Sequence, residues 1–528
     1  MRRPVRILRV VALVVALALG LGLPPSGPGS PVIAAAATRD SVTILAGAPE
    51  SIDPAHHGDL GSAQYVSQLY ESLTAIDATL TVQPALAAGW TVGSSGQQVV
   101  FRLRPNLVFS DGTPLTSADV VRSWRRLFTP DNPSPLASLL ANVVGARDLL
   151  AGRSTDTSTL GVRTEGDDRV IVDLVGGGGD LAAIVSGAPF GIVPASVGAG
   201  EIPLQPGGVG SGGYLLSGVT ADELTLHANP RYWAGKPAIA TVRALTTLGG
   251  HSLIDAFSAG DVDVSEIGSF DASWIGYDRT LGPSLRRDPS LTVTYYGFDA
   301  SRKPFDDARV RRAFAMAVDW RRLAQLDDPG TSAPATSIVP AGIPGTPAGD
   351  FLPPYDPEGA RTVLAQAGYA HGSDLPAVTF IGSGGGYDEA IVTMLRQNLG
   401  VTIDYGTMDF TAYSRRLDTD PPQLWSISWA ADYPGPNDFL GVLLETGSTA
   451  NQGRWSNAAF DQAIAEATAA GTPAAATAAY AKALGIVRDE VPVVPVSYGT
   501  SFSLVRDGLL GAAQNGLGIT RLAGLAWK

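Results

Sequence analysis

From residue 41 to the C-terminus, short runs alternating apolar and polar residues are interleaved with stretches whose apolar residues recur every three or four positions. The first period suits a half-buried strand and the second an amphipathic helix. Their exchange along the whole chain confines the fold to the α/β class. Residues 41–46 read as a first strand, and 62–73 carry a helical stripe of Tyr65, Val66, Leu69, Tyr70 and Leu73. Strands are expected at 80–82 and at 99–103, where Val99, Phe101 and Leu103 point one way. Thr116 with Asp119 three residues later resembles a capping box. In the helix it opens, Val120, Trp124, Leu127 and Phe128 share a face, Arg122, Arg125 and Arg126 fall largely on the other, and Thr129-Pro130 is the stop.

Further strands are expected at 170–175, 224–227, 242–246, 261–264, 292–298, 378–381 and 401–405. Helices are expected at 253–259, from a cap at Asp306, and at 388–399, 459–470 and 474–488. Asp356-Pro357-Glu358 supplies a cap, a proline at the first helical position and an acid in the first turn. Gly368 stands where that helix wants a left-handed cap. A chain of 528 residues has room for about three domains of ordinary size. With no internal repeat and no low-complexity linker, these should be joined by short crossings.

Cysteine is absent, which excludes disulfides, thiolate zinc sites, a Cys nucleophile and thiol-linked lipid anchors. The net charge is −13 and no run of five basic residues occurs, which argues against a nucleic-acid partner. At the N-terminus, Arg2, Arg3, Arg6 and Arg9 precede an apolar run at 10–23, shorter than the ~20 residues of a bilayer-spanning helix. A Pro/Gly/Ser spacer then leads to four alanines at 34–37, the layout of a secretory signal peptide over 1–37. The length of the spacer leaves an uncleaved N-terminal anchor as the alternative. Without the four arginines of this leader the body carries 33 basic against 50 acidic residues, near −17. It is expected to be soluble and to work outside the cytoplasm, secreted or in a periplasmic space.

Catalytic signals are weak. Gly208–Gly213 matches G-x-G-x-x-G literally, but prolines precede it and a strand pattern follows, so it reads as a glycine-rich turn. No nucleophile elbow, P-loop or H-E-x-x-H occurs. Of five histidines only His56 and His57 are adjacent, and they read as a solvated loop pair. No catalytic residue, cofactor or metal site is expected. The segment from Trp425 to Pro434 is more informative: a buried-strand pattern ending in Asp432, beside Trp429 and Tyr433. By itself it reads first as a strand that packs its tryptophans and turns at Asp432-Tyr433-Pro434, and second as a strand end whose acid faces a cleft.

Eight segments, in order, resemble the extracellular solute-binding proteins of family 5, the oligopeptide-, dipeptide- or nickel-binding components of ABC importers. Ser51-Ile52-Asp53-Pro54 is similar to the family's "-LDP-", Tyr70-Glu71-Ser72-Leu73 to "YEGL", and the stretch from Pro84 to Trp90 to "PALAESW". Phe101-Arg102-Leu103-Arg104, followed by Phe109-Ser110-Asp111-Gly112-Thr113-Pro114-Leu115-Thr116, resembles the most specific signature, "F-x-LR…F-x-DGTPLTA". Gly210 to Tyr214 resembles "GTGPY", Ala228 to Trp233 "ANPDYW", Pro304 to Ala313 "PFDDVRVRRA", and Tyr355 to Glu358 with Ala367-Gly368-Tyr369 "YDPEKA…AGY".

The resemblance implies a periplasmic-binding-protein-like, two-lobed clamshell (type II, cluster C) with an extra inserted domain. Residues 38–68, 202–294 and 497–528 would form lobe 1, residues 69–201 the inserted domain, and residues 295–496 lobe 2. The implied function is capture of an extracytoplasmic oligopeptide or dipeptide by hinge closure and delivery to a membrane permease, by a monomer. Asp432 stands where peptide-binding relatives hold the ligand's ammonium. Ser428, Trp429 and Ala430 match their ligand-pairing strand, Tyr433 adjoins it, Asp59 and Leu60 would form the facing edge, and Tyr296 enters the second lobe. Alternatives are a non-peptide solute on the same fold (a metal chelate, an opine or a glycoside), a secreted hydrolase, or a peptide-sensing receptor. Family members from Gram-positive bacteria resemble lipoproteins with a Cys after the leader; this chain has alanines there.

Overall fold

Eleven strands join into one sheet. From one edge the order is Ile403–Thr407, Val378–Gly382, Leu424–Ala430, Leu285–Phe298, Val493–Val505, Val264–Ile267, Ser41–Leu45, Thr241–Leu245, Glu223–Ala228 and Tyr214–Val219. The short Ala333–Pro334 is added against Val493–Val505. This computed structural model describes residues 39–327, 333–384 and 387–528, and its body is the compact unit Asp40–Lys528. The leader expected at 1–37 lies outside the described residues. No helix among the described residues is long and apolar enough to cross a membrane.

The two longest strands, Leu285–Phe298 and Val493–Val505, run antiparallel through the middle of the sheet. Val264–Ile267 pairs with the second of them only over residues 502–505, while Leu424–Ala430 pairs with the first only over residues 292–298. Between these stretches their own ladder lapses: Pro289 faces Thr500, and pairing resumes at Val293 with Tyr498. The sequence pattern predicts a strand over 292–298 alone, because Asp288-Pro289 breaks the alternation. Proline has no N–H to give to a ladder and is tolerated there because the ladder lapses next to it.

A separate four-stranded antiparallel sheet, in the order Ala87–Val92, Gln98–Leu103, Arg169–Asp173 and Val162–Glu165, carries its own core. Phe101 meets Trp124 edge-on at 6.4 Å between ring centroids, and Trp124 meets Phe190 at 5.8 Å. These three rings are fully buried, each worth about 2–3 kcal/mol of apolar transfer. Trp124 belongs to the helix Ser117–Arg126, where Asp119 closes the expected capping box.

Local expectations differ in instructive places. The cap of the helix Ala308–Met316 is Asp307, not Asp306; its carboxylate accepts from the Arg309 N–H. Leu80 sits in a left-handed turn before the strand Val82–Pro84 rather than inside a strand. Val264–Ile267 begins where the strand expected at 261–264 would end, since Asp263 is buried and its Oδ2 accepts from the Thr43 N–H instead. Arg126 turns inward to a buried Asp53, although the helical wheel puts it on the outer face. The glycine run ends at the strand Tyr214–Val219, and Gly212 is required by close approach, because a Cβ there would lie 2.1 Å from the Gln68 carbonyl oxygen.

Candidate functional site

A cavity of about 450 Å³ opens where the ladder of the two long strands lapses. Ser290, Leu291 and Thr292 of that lapse form part of its wall, with residues 57–60 at the start of the helix Leu60–Leu69, the strand end Ala430–Asp432 and the loop 515–519. Leu136, Leu139, Ile76 and Leu517 give it apolar surface.

Each polar side chain in the wall is held by a specific local device. Asp59 is the N-cap of the helix Leu60–Leu69: its Oδ1 accepts from the Ser62 N–H at 2.8 Å, which leaves Oδ2 buried without a partner. Burial would raise its pKa, but the Ser62 hydrogen bonds and the neighbouring His57 hold it below the usual value. Asp432 lies just past the strand Leu424–Ala430. Strand pairing ends at Thr292–Ala430, and the Ala431 N–H then reaches Leu291 O at 2.9 Å. A fully buried carboxylate, Asp438, fixes the turn by accepting from the Asp432 backbone N–H and the Trp429 indole N–H, both at 3.1 Å. Burial, reinforced by the charge of Asp432, pushes the Asp438 pKa well above the carboxylate range. The Asp432 carboxylate is solvent-accessible, but the surrounding walls strip enough water from it to raise its pKa as well.

At another part of the wall Arg521 donates to both oxygens of the buried Glu71, at 3.0 and 2.8 Å, and to the Tyr232 hydroxyl at 3.0 Å. Tyr232 and Trp233 both donate to Glu71 Oε2. Glu71 and Arg521 hold each other by charge, and the guanidinium pKa is raised accordingly.

Of the residues picked out from the sequence, Asp432, Ala430, Asp59 and Leu60 come together on this wall. Ser428 and Trp429 lie further back on the strand, Ser428 bonded to Thr294 Oγ1 at 2.8 Å and Trp429 to Asp438. Tyr433 is buried below the turn and bonded to Asn437. Tyr296 belongs to the core, not to the wall: it is 2% exposed, packs on Trp320 and Phe380, and donates to Asp388 at 2.6 Å. An inward-facing strand position explains this, since its neighbours on the pleat set which way it points.

His57 corrects the reading of a solvated histidine pair. It is 2% exposed, it lines the cavity, and neither ring nitrogen has a well-formed hydrogen bond within the protein. Burial lowers its pKa to about 4 against the pull of Asp59 and Asp53, so at neutral pH the ring is neutral. His56 is buried too, its Nδ1 3.2 Å from Asp53. Sequence reasoning also missed Glu71 and Arg521 as wall residues. Glu71 lay in a recognised motif, whereas nothing local marked Arg521, 450 residues away.

Comparison with known proteins agrees with this architecture. The chain is 29% identical over 473 residues to the probable deoxycholate-binding periplasmic protein YgiS of Escherichia coli strain K12, covering 87% of this chain and 88% of that one. It is 28% identical over 497 residues to the periplasmic murein peptide-binding protein MppA of the same organism, covering 88% and 89%. The unliganded open form of the MppA murein tripeptide-binding protein superposes with a TM-score of 0.81 at 25% identity, covering 93% of this chain and 97% of that one. The fold is thus the two-lobed α/β clamshell of that structural class. Residues 81–451 match the bacterial extracellular solute-binding proteins, family 5 Middle, and the chain belongs to that family, as a binding protein and not an enzyme.

Proposed function

We propose that this protein is the peptide-capturing component of an ABC importer, working outside the cytoplasm and handing its cargo to a membrane permease. Residues 38–68, 202–294 and 497–528 form one lobe, 69–201 the inserted domain and 295–496 the other lobe. Closure bends the two long strands at their lapse beside Pro289, where Ser290, Leu291 and Thr292 are also part of the cavity wall.

The observation that carries the peptide reading is a strand edge that ends in an acid. Leu424–Ala430 pairs with Leu285–Phe298 along one edge, but along the other only Leu424 meets Phe380. On that second edge the Tyr413 hydroxyl takes both the N–H and the C=O of Ser426. By the two-residue strand period, Ser428 and Ala430 offer their backbone groups to the same edge, and Asp432 follows. An extended peptide can add there as a strand, with its ammonium on the Asp432 carboxylate. MppA is named for murein peptides, which supports this reading.

A second reading follows from YgiS, named for deoxycholate, and from the leucines in the wall. Deoxycholate is an anion, however, and the acids around this cavity oppose it. Native mass spectrometry of the purified protein separates the two: a ladder of peptide masses is expected, and a single non-peptide mass would replace the peptide reading. In calorimetry, Asp432→Asn should weaken peptides with a free N-terminus at least tenfold more than their N-acetylated forms. Equal losses would remove the ammonium role.

A further inference from the structure

Four carboxylates line the cavity: Asp59, Glu71, Glu266 and Asp432. Among the described residues of the wall, Arg521 is the one cation; its Nη2 bonds Glu71 and Tyr232, and Glu71 balances its charge. His57 adds no charge of its own. An ordinary peptide brings one ammonium and one carboxylate. Its ammonium can satisfy one acid, while its carboxylate meets only a cation whose charge Glu71 already balances, and approaches groups of its own sign. Desolvating such a pair is unfavourable. A ligand with surplus positive charge removes both difficulties.

Two independent observations locate where the second charge goes. Asp59 has a buried Oδ2 with no partner, on the helix-start wall rather than on the strand end that carries Asp432. Next to it, His57 is 98% buried and neither ring nitrogen has a well-formed hydrogen bond; its one polar approach is to the Asp59 backbone, which leaves the ring capacity for ligand atoms. The neutral ring can donate to a carbonyl and accept from an amide or an ammonium.

Resting on the peptide reading, we infer that the cleft selects cationic peptides: the N-terminal ammonium sits on Asp432, and a Lys or Arg side chain of the ligand sits on Asp59 beside His57. The C-terminal carboxylate is left without a dedicated cation, so acidic peptides are rejected.

The test is calorimetry on ligand-stripped protein with Ala-Ala-Ala, Ala-Lys-Ala and Ala-Glu-Ala at low and high salt. The lysine peptide should bind at least tenfold more tightly than the alanine peptide, and the glutamate peptide at least tenfold more weakly. Both gaps should narrow as salt rises. Asp59→Asn should shrink the lysine-to-alanine ratio to below threefold. Asn is as good an N-cap as Asp, so an unchanged melting temperature shows that the helix start is intact. Three similar affinities, or a ratio untouched in Asp59→Asn, overturn the charge selection and leave the peptide reading standing. Failure of all three peptides to bind removes the peptide reading and this inference with it.

Discussion

Arg126 clasps Asp53 from 73 residues away, with Nη1 3.0 Å from Oδ1 and Nη2 2.7 Å from Oδ2, and neither side chain reaches solvent appreciably. The pair ties the helix Ser117–Arg126 to the loop that leads into the cavity wall. Burial alone would raise the Asp53 pKa. The Arg126 hydrogen bonds and charge, with the Ala55 and Ile202 N–H groups, hold it below the ordinary carboxylate value instead. Removing one partner strands the other charge in the interior, so Arg126→Ala should lose about 3–5 kcal/mol in urea unfolding. Arg126→Met with Asp53→Leu should recover much of this. If the single variant loses under 1 kcal/mol, the pair is not a structural tie.

His57 sets a pH dependence. Its pKa falls to about 4 in the folded protein, so an unfolded chain takes up a proton there first as pH drops. Its contribution to stability is complete above the unfolded value of about 6.5 and is lost as pH falls toward 4. The groups that oppose the loss, Asp53 and Asp59, are on the same loop. His57→Gln should flatten the decline of melting temperature between pH 6.5 and 4, measured by differential scanning calorimetry. A parallel decline in both proteins would show that His57 is not the titrating group.

The class of fold was legible because strand and helix periods are local: the helix Asp388–Leu399 and the capping box at Thr116 come straight from spacing. The end of the strand at Ala430 and the acid after it were legible for the same reason. What escaped was set by distant partners. Arg126 looks exposed on a helical wheel until Asp53 arrives across the fold, and His57 looks like loop until the walls close over it. Arg521 becomes a wall residue only because Glu71, far away in sequence, claims it. Tyr296 erred in the other direction: motif position put it near the site, but Asp388 and Trp320 draw it into the core.

Asp180 should respond to acid in the opposite sense to His57. It belongs to the proposed inserted domain and abuts the turn at Tyr433 and Gly435, in the proposed second lobe. Burial raises its pKa to about 6, and the Tyr433 hydroxyl lowers it only in part. The protonated form is favoured in the folded state, so its contact gains stability as pH falls below 6 and loses it as pH rises through 6. Asp180→Asn should hold the contact at all pH values. Hydrogen exchange of residues 433–440 should slow at pH 7.5 in the variant and match the parent at pH 5. Faster exchange in the variant at pH 7.5 would contradict this.

Gly297 and Trp425 face each other across the ladder, and a Cβ on Gly297 would stand 2.1 Å from the indole ring. The ring is 1% exposed and meets Tyr295 edge-on at 5.8 Å. Gly297→Ala therefore cannot be absorbed by a flexible side-chain end; the ring or the strand must move. Overpacking of this kind costs about 1–3 kcal/mol. The strand that would shift is the one that presents Ser428, Ala430 and Asp432, so peptide affinity should fall with stability. Gly47→Ala, in a loop where nothing lies within 4 Å, is the control and should change neither. Gly297→Ala with Trp425→Leu should regain stability by freeing the space, at the loss of the ring's packing. An alanine at 297 that leaves both melting temperature and affinity unchanged would show that the indole is not fixed over this position.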